Sequence, residues 1–64
     1  MITLQKQASD ALIVKSIQYG VVKTQSFVDG KAGYIDNKDI KRLGYDSTHD
    51  FVLALIEKGF RIED

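Results

Sequence analysis

The sequence contains no cysteine, which excludes disulfide bonds and thiolate metal sites. Its single histidine, His49, has no second metal ligand or nucleophile beside it and is read as a partly exposed group near a helix start. Net charge is absent too. Nine basic and nine acidic side chains cancel, so no global field draws the chain to nucleic acid or to an anionic membrane. No apolar run approaches the roughly 20 residues of a membrane span. The start, Met1-Ile2-Thr3-Leu4-Gln5-Lys6, lacks the basic flank, apolar core and cleavage site of a signal peptide. A cytoplasmic protein is expected, which the lack of cysteine fits.

What is present is a short chain. Its 64 residues allow one domain, 1–64. A chain of this size buries a modest fraction of its surface, so tight packing or self-association must supply stability. A homo-oligomer is expected, with a dimer favoured. Residues 1–31 carry four lysines against two aspartates, and residues 32–64 carry five basic against seven acidic groups. That weak polarity is compatible with head-to-tail self-contact.

The best-specified stretch is Asp46–Phe60, DSTHDFVLALIEKGF. Ser47 is a good N-cap and Asp50, three residues on, approximates a capping box and suits the helix dipole. Lys58 falls in the last turn. Gly59 supplies a left-handed C′ residue, with Phe60 and Leu55 as the pair that meets in a Schellman ending. The spacing predicts a helix over 47–58. At about 100° per residue, its apolar arc runs from Phe51 through Leu55, Val52 and Ile56 to Leu53, which is wider than one core needs. Leu53 and Ile56, at the outer edge, are candidates to meet another chain.

Upstream, Ile2 and Leu4 alternate with polar residues and predict an extended arm or edge strand. Residues 11–19 are read as a helix started at Ser9-Asp10 and ended at Gly20. A buried strand is the alternative, because Ile13, Val14 and Ile17 are β-branched. Val21–Ile35 reads as β, with a type I′ hairpin turn at Asp29-Gly30 and a weakened or bulged return arm at Gly33. A second helix is predicted over 36–43, capped by Asp36, stapled by Ile35 and Ile40, and ended at Gly44. Phe60 and Ile62 then alternate in a short strand. The expected fold is α+β, in the order α-β-α-α-β, with a helix-turn-helix-like pair (36–43, 47–58) and a short hairpin or sheet.

The run Asp39-Ile40-Lys41-Arg42-Leu43-Gly44, followed by Leu55-Ile56-Glu57-Lys58-Gly59-Phe60-Arg61-Ile62, resembles winged-helix DNA-binding domains of the biotin-repressor type. The resemblance covers about the C-terminal half and implies a transcriptional regulator that binds DNA. Two features depart from it. No second strand follows Phe60–Ile62 to form a wing. The helix that would read the groove presents Asp50 and Glu57, where base readout needs Arg, Lys, Asn or Gln. Basic residues gather instead as Lys38, Lys41 and Arg42, interleaved with Asp36 and Asp39.

No catalytic or metal-binding constellation stands out, and no cofactor is implied. Gly30-Lys31-Ala32-Gly33 is read as a hairpin turn rather than a nucleic-acid clamp. Asp29–Ile40 fails as a calcium loop, because Lys31 and Ile40 occupy positions that need oxygen ligands. Tyr19, Tyr34 and Tyr45 are read as core or rim aromatics. The function expected is that of a small non-enzymatic regulatory or accessory protein that binds another protein. Leu53 and Ile56 are its best interface residues, with Tyr45 and Phe60 as neighbours. The alternative is a DNA-binding regulator using Lys38, Lys41 and Arg42. The size suits a phage or mobile-element accessory gene.

Overall fold

In a computed structural model of the chain, residues 1–63 are described. Four long strands come first, β1 (Ile2–Ala8), β2 (Ala11–Gln18), β3 (Val21–Val28) and β4 (Lys31–Asp39). One helix, α1 (Thr48–Glu57), and a short strand, β5 (Arg61–Glu63), follow. The strands form one antiparallel sheet in the order β4-β3-β2-β1-β5. The domain is mostly β, and the expected α+β fold with a helix-turn-helix pair is not what the chain adopts. Among the described residues, no helix is long and apolar enough to cross a membrane.

The meander follows from three two-residue loops, Ser9-Asp10, Tyr19-Gly20 and Asp29-Gly30, spaced ten residues apart. Both loop residues have positive φ in Tyr19-Gly20 (53° and 73°) and in Asp29-Gly30 (53° and 79°). That is the type I′ geometry whose twist matches the flanking strands. Gly33 is the extra residue of a bulge, since Ser26 faces Tyr34 while Phe27 faces Ala32.

Residues 11–18 are therefore strand, not helix, and Tyr19 belongs to the turn that follows. Ile13, Val14 and Ile17 suit the pleat, and the ladder to β1 on one side and β3 on the other satisfies the backbone along its length. Residues 1–7 are not an edge: β1 lies between β2 and β5. The helix expected over 36–43 is also absent. Asp36 to Asp39 continue β4 opposite Thr24 to Val21. Helical geometry survives only as a turn after Asp39, where the Leu43 amide donates to the carbonyls of Asp39 (3.2 Å) and Ile40 (3.1 Å). The Asp39 carboxylate, not that of Asp36, accepts from the Lys41 amide at 3.0 Å. The Ile40 amide donates to Gly20 O at 2.9 Å, which ties this turn to the β2–β3 loop and buries Ile40.

The one helix has the ends its sequence specifies. Ser47 is the N-cap, and its hydroxyl accepts from the Asp50 amide at 3.2 Å. Beyond the C-cap Lys58, Gly59 has φ of 98°, and the amides of Phe60 and Gly59 donate to Leu55 O and Ile56 O, both at 3.0 Å. This is a Schellman ending. It reverses the chain so that Phe60 points back into the core and β5 reaches β1.

The core is Leu4, Ile17 and Val22 from the sheet against Ile40, Phe51, Val52, Leu55 and Phe60. Cross-strand partners point to the same side of a sheet. The register places Leu4, Ile17 and Val22 all on the helix side, and no strand residue of the opposite face is buried. The sheet is covered on one side only. Replacing Leu4, which is 0% exposed, by alanine is expected to cost about 3 kcal/mol, a large share of a small domain's stability. Ser47→Ala is expected to cost about 1 kcal/mol. Urea unfolding followed by circular dichroism measures both, and equal midpoints for Leu4→Ala and wild type would contradict this core.

Candidate functional site

Two surfaces stand out. The first is the sheet face opposite α1. The register lines up Gln5, Val14, Gln25 and Ile35 in one row across β1 to β4, and Gln7, Leu12, Phe27 and Ala32 in the next. Leu12, Val14 and Phe27 are half-buried by their neighbours, and Ile35 is 57% exposed. Apolar side chains in these rows thus come from β2, β3 and β4, with Gln25 between Val14 and Ile35 and only glutamines on β1, and no helix among the described residues lies above them. The outer boundary of this face is β4, whose free edge pairs with no strand among the described residues. The accessible surface, 4601 Å², exceeds the roughly 4,100 Å² expected for a compact monomer of 7.2 kDa.

The second surface is a cleft of about 410 Å³ on the helix side, between α1 and strands β2 to β4. Its walls come from β2 (Lys15), β3 (Val22, Thr24), β4 (Tyr34, Asp36, Lys38), the following turn (Leu43, Tyr45), α1 (Phe51, Leu55), its C-cap Lys58 and Phe60. Lys15 Nζ donates to Thr24 Oγ1 at 3.0 Å and lies 5.7 Å from the Phe60 ring centroid. Lys6 Nζ lies 5.8 Å from the same ring and donates to Lys58 O at 2.6 Å, stabilising the negative end of the helix. Among the described residues Asp36 is the one carboxylate lining the cleft, 3.7 Å from Lys38 Nζ.

The residues singled out from sequence separate in the fold. Leu53 and Ile56 lie on the outer side of α1, 48% and 44% exposed. Phe60 is buried at 7%. Tyr45 is half-buried and meets Phe51 edge-on, with centroids 5.0 Å apart. Tyr45 and Phe60 therefore line the cleft and do not adjoin Leu53 and Ile56 as one patch. Lys38 is on β4 beside Asp36, while Lys41 and Arg42 belong to the turn, exposed and without the helix expected to carry them. His49 is exposed beside Asp50. Among the described residues no three His, Cys, Asp or Glu side chains gather as a metal site needs.

The sequence does not mark Leu12, Val14, Phe27 and Ile35 as a surface, because its local pattern over residues 11–19 reads as a helix that contains Leu12 and Val14. The available signal was the ten-residue spacing of the loop pairs, which marks an even meander and fixes which residues share a face. Comparison with family models, with curated proteins and with solved structures gave no match.

Burial holds the Lys15 ammonium below its ordinary 10.5, helped by the nearby Lys58 and Lys38 and opposed by Asp36. Lys6, Tyr34 and Tyr45 are the other titratable groups around it. The folded state thus disfavours charged Lys15. That penalty is complete below the folded pKa and fades as pH rises from there to 10.5, so this group makes stability increase with pH across that window. A ¹³C titration of Lys15 Cε is expected to give a midpoint below 10.5. Lys58→Met should raise that midpoint and Asp36→Asn should lower it; an unmoved midpoint in both variants would remove the coupling.

Proposed function

We propose that this is a small non-enzymatic accessory or regulatory protein that acts by binding protein, and that it self-associates, with a dimer favoured. The observation that carries this reading is the uncovered sheet face, where Leu12, Val14, Phe27 and Ile35 present apolar side chains with no helix among the described residues above them. A sheet with one face packed and the other in water normally alternates apolar with polar residues. Here the open face departs from that pattern at Leu12, Val14, Val21, Phe27 and Ile35, and exposed apolar surface of this kind marks interaction sites. Burying a side chain such as Phe27 or Val14 in an interface contributes roughly 1.5–3 kcal/mol.

Leu53 and Ile56 offer a second, smaller contact on the outer side of α1. Zero net charge suits close approach of two copies, since no long-range repulsion opposes it. The DNA-binding alternative loses the helix pair on which it rested.

Light scattering on the purified protein is the direct test. The expected mass is twice 7.2 kDa, falling to the monomer value for Val14→Lys with the circular dichroism spectrum unchanged. Leu53→Asp is expected to leave the fold intact, because that side chain is half exposed. A strict monomer at all concentrations, together with no protein retained in affinity capture, would refute the reading. A dimer that survives Val14→Lys but dissociates in Leu53→Asp would move the interface to the helix.

A further inference from the structure

We propose that the cleft between α1 and strands β2 to β4 is a binding site for a small phosphate monoester, held by Lys15, Lys38 and Lys58. These ammonium groups come from three separate elements, β2, β4 and the C-cap of α1, and folding alone brings them to one cleft. Among the described residues only the Asp36 carboxylate opposes them there, and Lys38 already engages it. Gathering like charges around a partly dry cleft is unfavourable, and an anion of charge near −2 removes the cost.

The negative end of α1 does not compete for this role. Lys6, approaching from β1 behind Phe60, donates to the terminal carbonyl of Lys58 and leaves the Lys58 side chain free. Phe60 in turn separates Lys6 from the cleft and supports Lys15 through its ring face. The Thr24 hydroxyl lies 3.0 Å from Lys15 Nζ and offers a neutral donor at the cleft floor.

A phosphate monoester fits better than a monocarboxylate. At pH 7 it carries close to two negative charges and three acceptor oxygens, which matches three ammonium groups from different directions. The cleft, about 410 Å³, is of the size small-ligand pockets have. Tyr34, half exposed on the cleft wall, and Tyr45 present ring surface to whatever the phosphate is attached to. An aromatic ester should therefore bind more tightly than inorganic phosphate.

The site is separate from the open sheet face, so it stands or falls independently of protein binding. The test is a titration of the ¹⁵N-labelled protein with inorganic phosphate and with phenyl phosphate at constant ionic strength, with chloride as the control. Saturable shifts are expected at Lys15, Thr24, Lys38 and Lys58 with both phosphates, tighter for phenyl phosphate, and absent with chloride. The Lys15 titration midpoint should rise when phosphate is bound. Lys15→Met and Lys58→Met are each expected to weaken binding about tenfold, while Lys23→Met, on the opposite sheet face, should bind as wild type does. Lys58 is exposed at a helix end, so its variant keeps the test valid should Lys15→Met fold poorly. Shifts that stay linear and match those of chloride, or unchanged affinity in folded Lys15→Met or Lys58→Met, would overturn the assignment.

Discussion

The contact on which the rest of this domain depends is the packing of Phe51, Leu55 and Phe60 against Leu4, Ile17 and Val22. Four hairpin-linked strands provide a surface but no core of their own, because an antiparallel sheet buries nothing until something lies on it. A single ten-residue helix supplies the cover. An isolated helix of that length is marginal in water, so it is held by the sheet as much as the sheet is held by it. The two parts stabilise each other through eight buried side chains, and the loss of any large one reaches both.

The Schellman ending of α1 determines how that contact is completed. Gly59 at positive φ turns the chain so that Phe60 falls between Leu55 and the sheet, where Lys6 and Lys15 lie against its ring. The same reversal delivers β5 to the free edge of β1, pairing Ile62 with Leu4. One backbone conformation thus closes the core, protects a strand edge and forms one wall of the lysine cleft. β4, at the other end of the sheet, has no such cover, and neither does the face carrying Val14 and Phe27. A helix of this length cannot cover an eight-residue meander, nor can it lie on both sides. The uncovered face is a consequence of having only one helix.

Local signals in the sequence were sound where one stretch determines its own geometry. Ser47, Asp50, Gly59 and Phe60 specify both ends of α1 through hydrogen bonds within a few residues. Asp29-Gly30 specifies a hairpin because its backbone tolerates positive φ twice. The site was less legible. Leu53 and Ile56 were recognisable as the outer edge of an apolar arc, and they are exposed. Phe60 and Tyr45, expected as neighbours of Leu53 and Ile56 at an interface, turn inward instead, because the sequence does not show which side of a reversed chain meets a sheet. The lysine cleft had no signal at all, since Lys15, Lys38 and Lys58 are far apart in the chain and meet only in the fold.

The sequence by itself determined the caps of α1, the Asp29-Gly30 turn and a β-forming character from Val21 to Ile35. The tertiary structure decided that residues 11–18 and 36–39 are strands. Both stretches have apolar and capping residues compatible with a helix, and only hydrogen bonds to neighbouring strands, made by residues distant in sequence, favour the extended form. It also decided which half of the α1 arc is buried and which lysines meet. Those outcomes depend on what lies across the sheet, and that information is nonlocal.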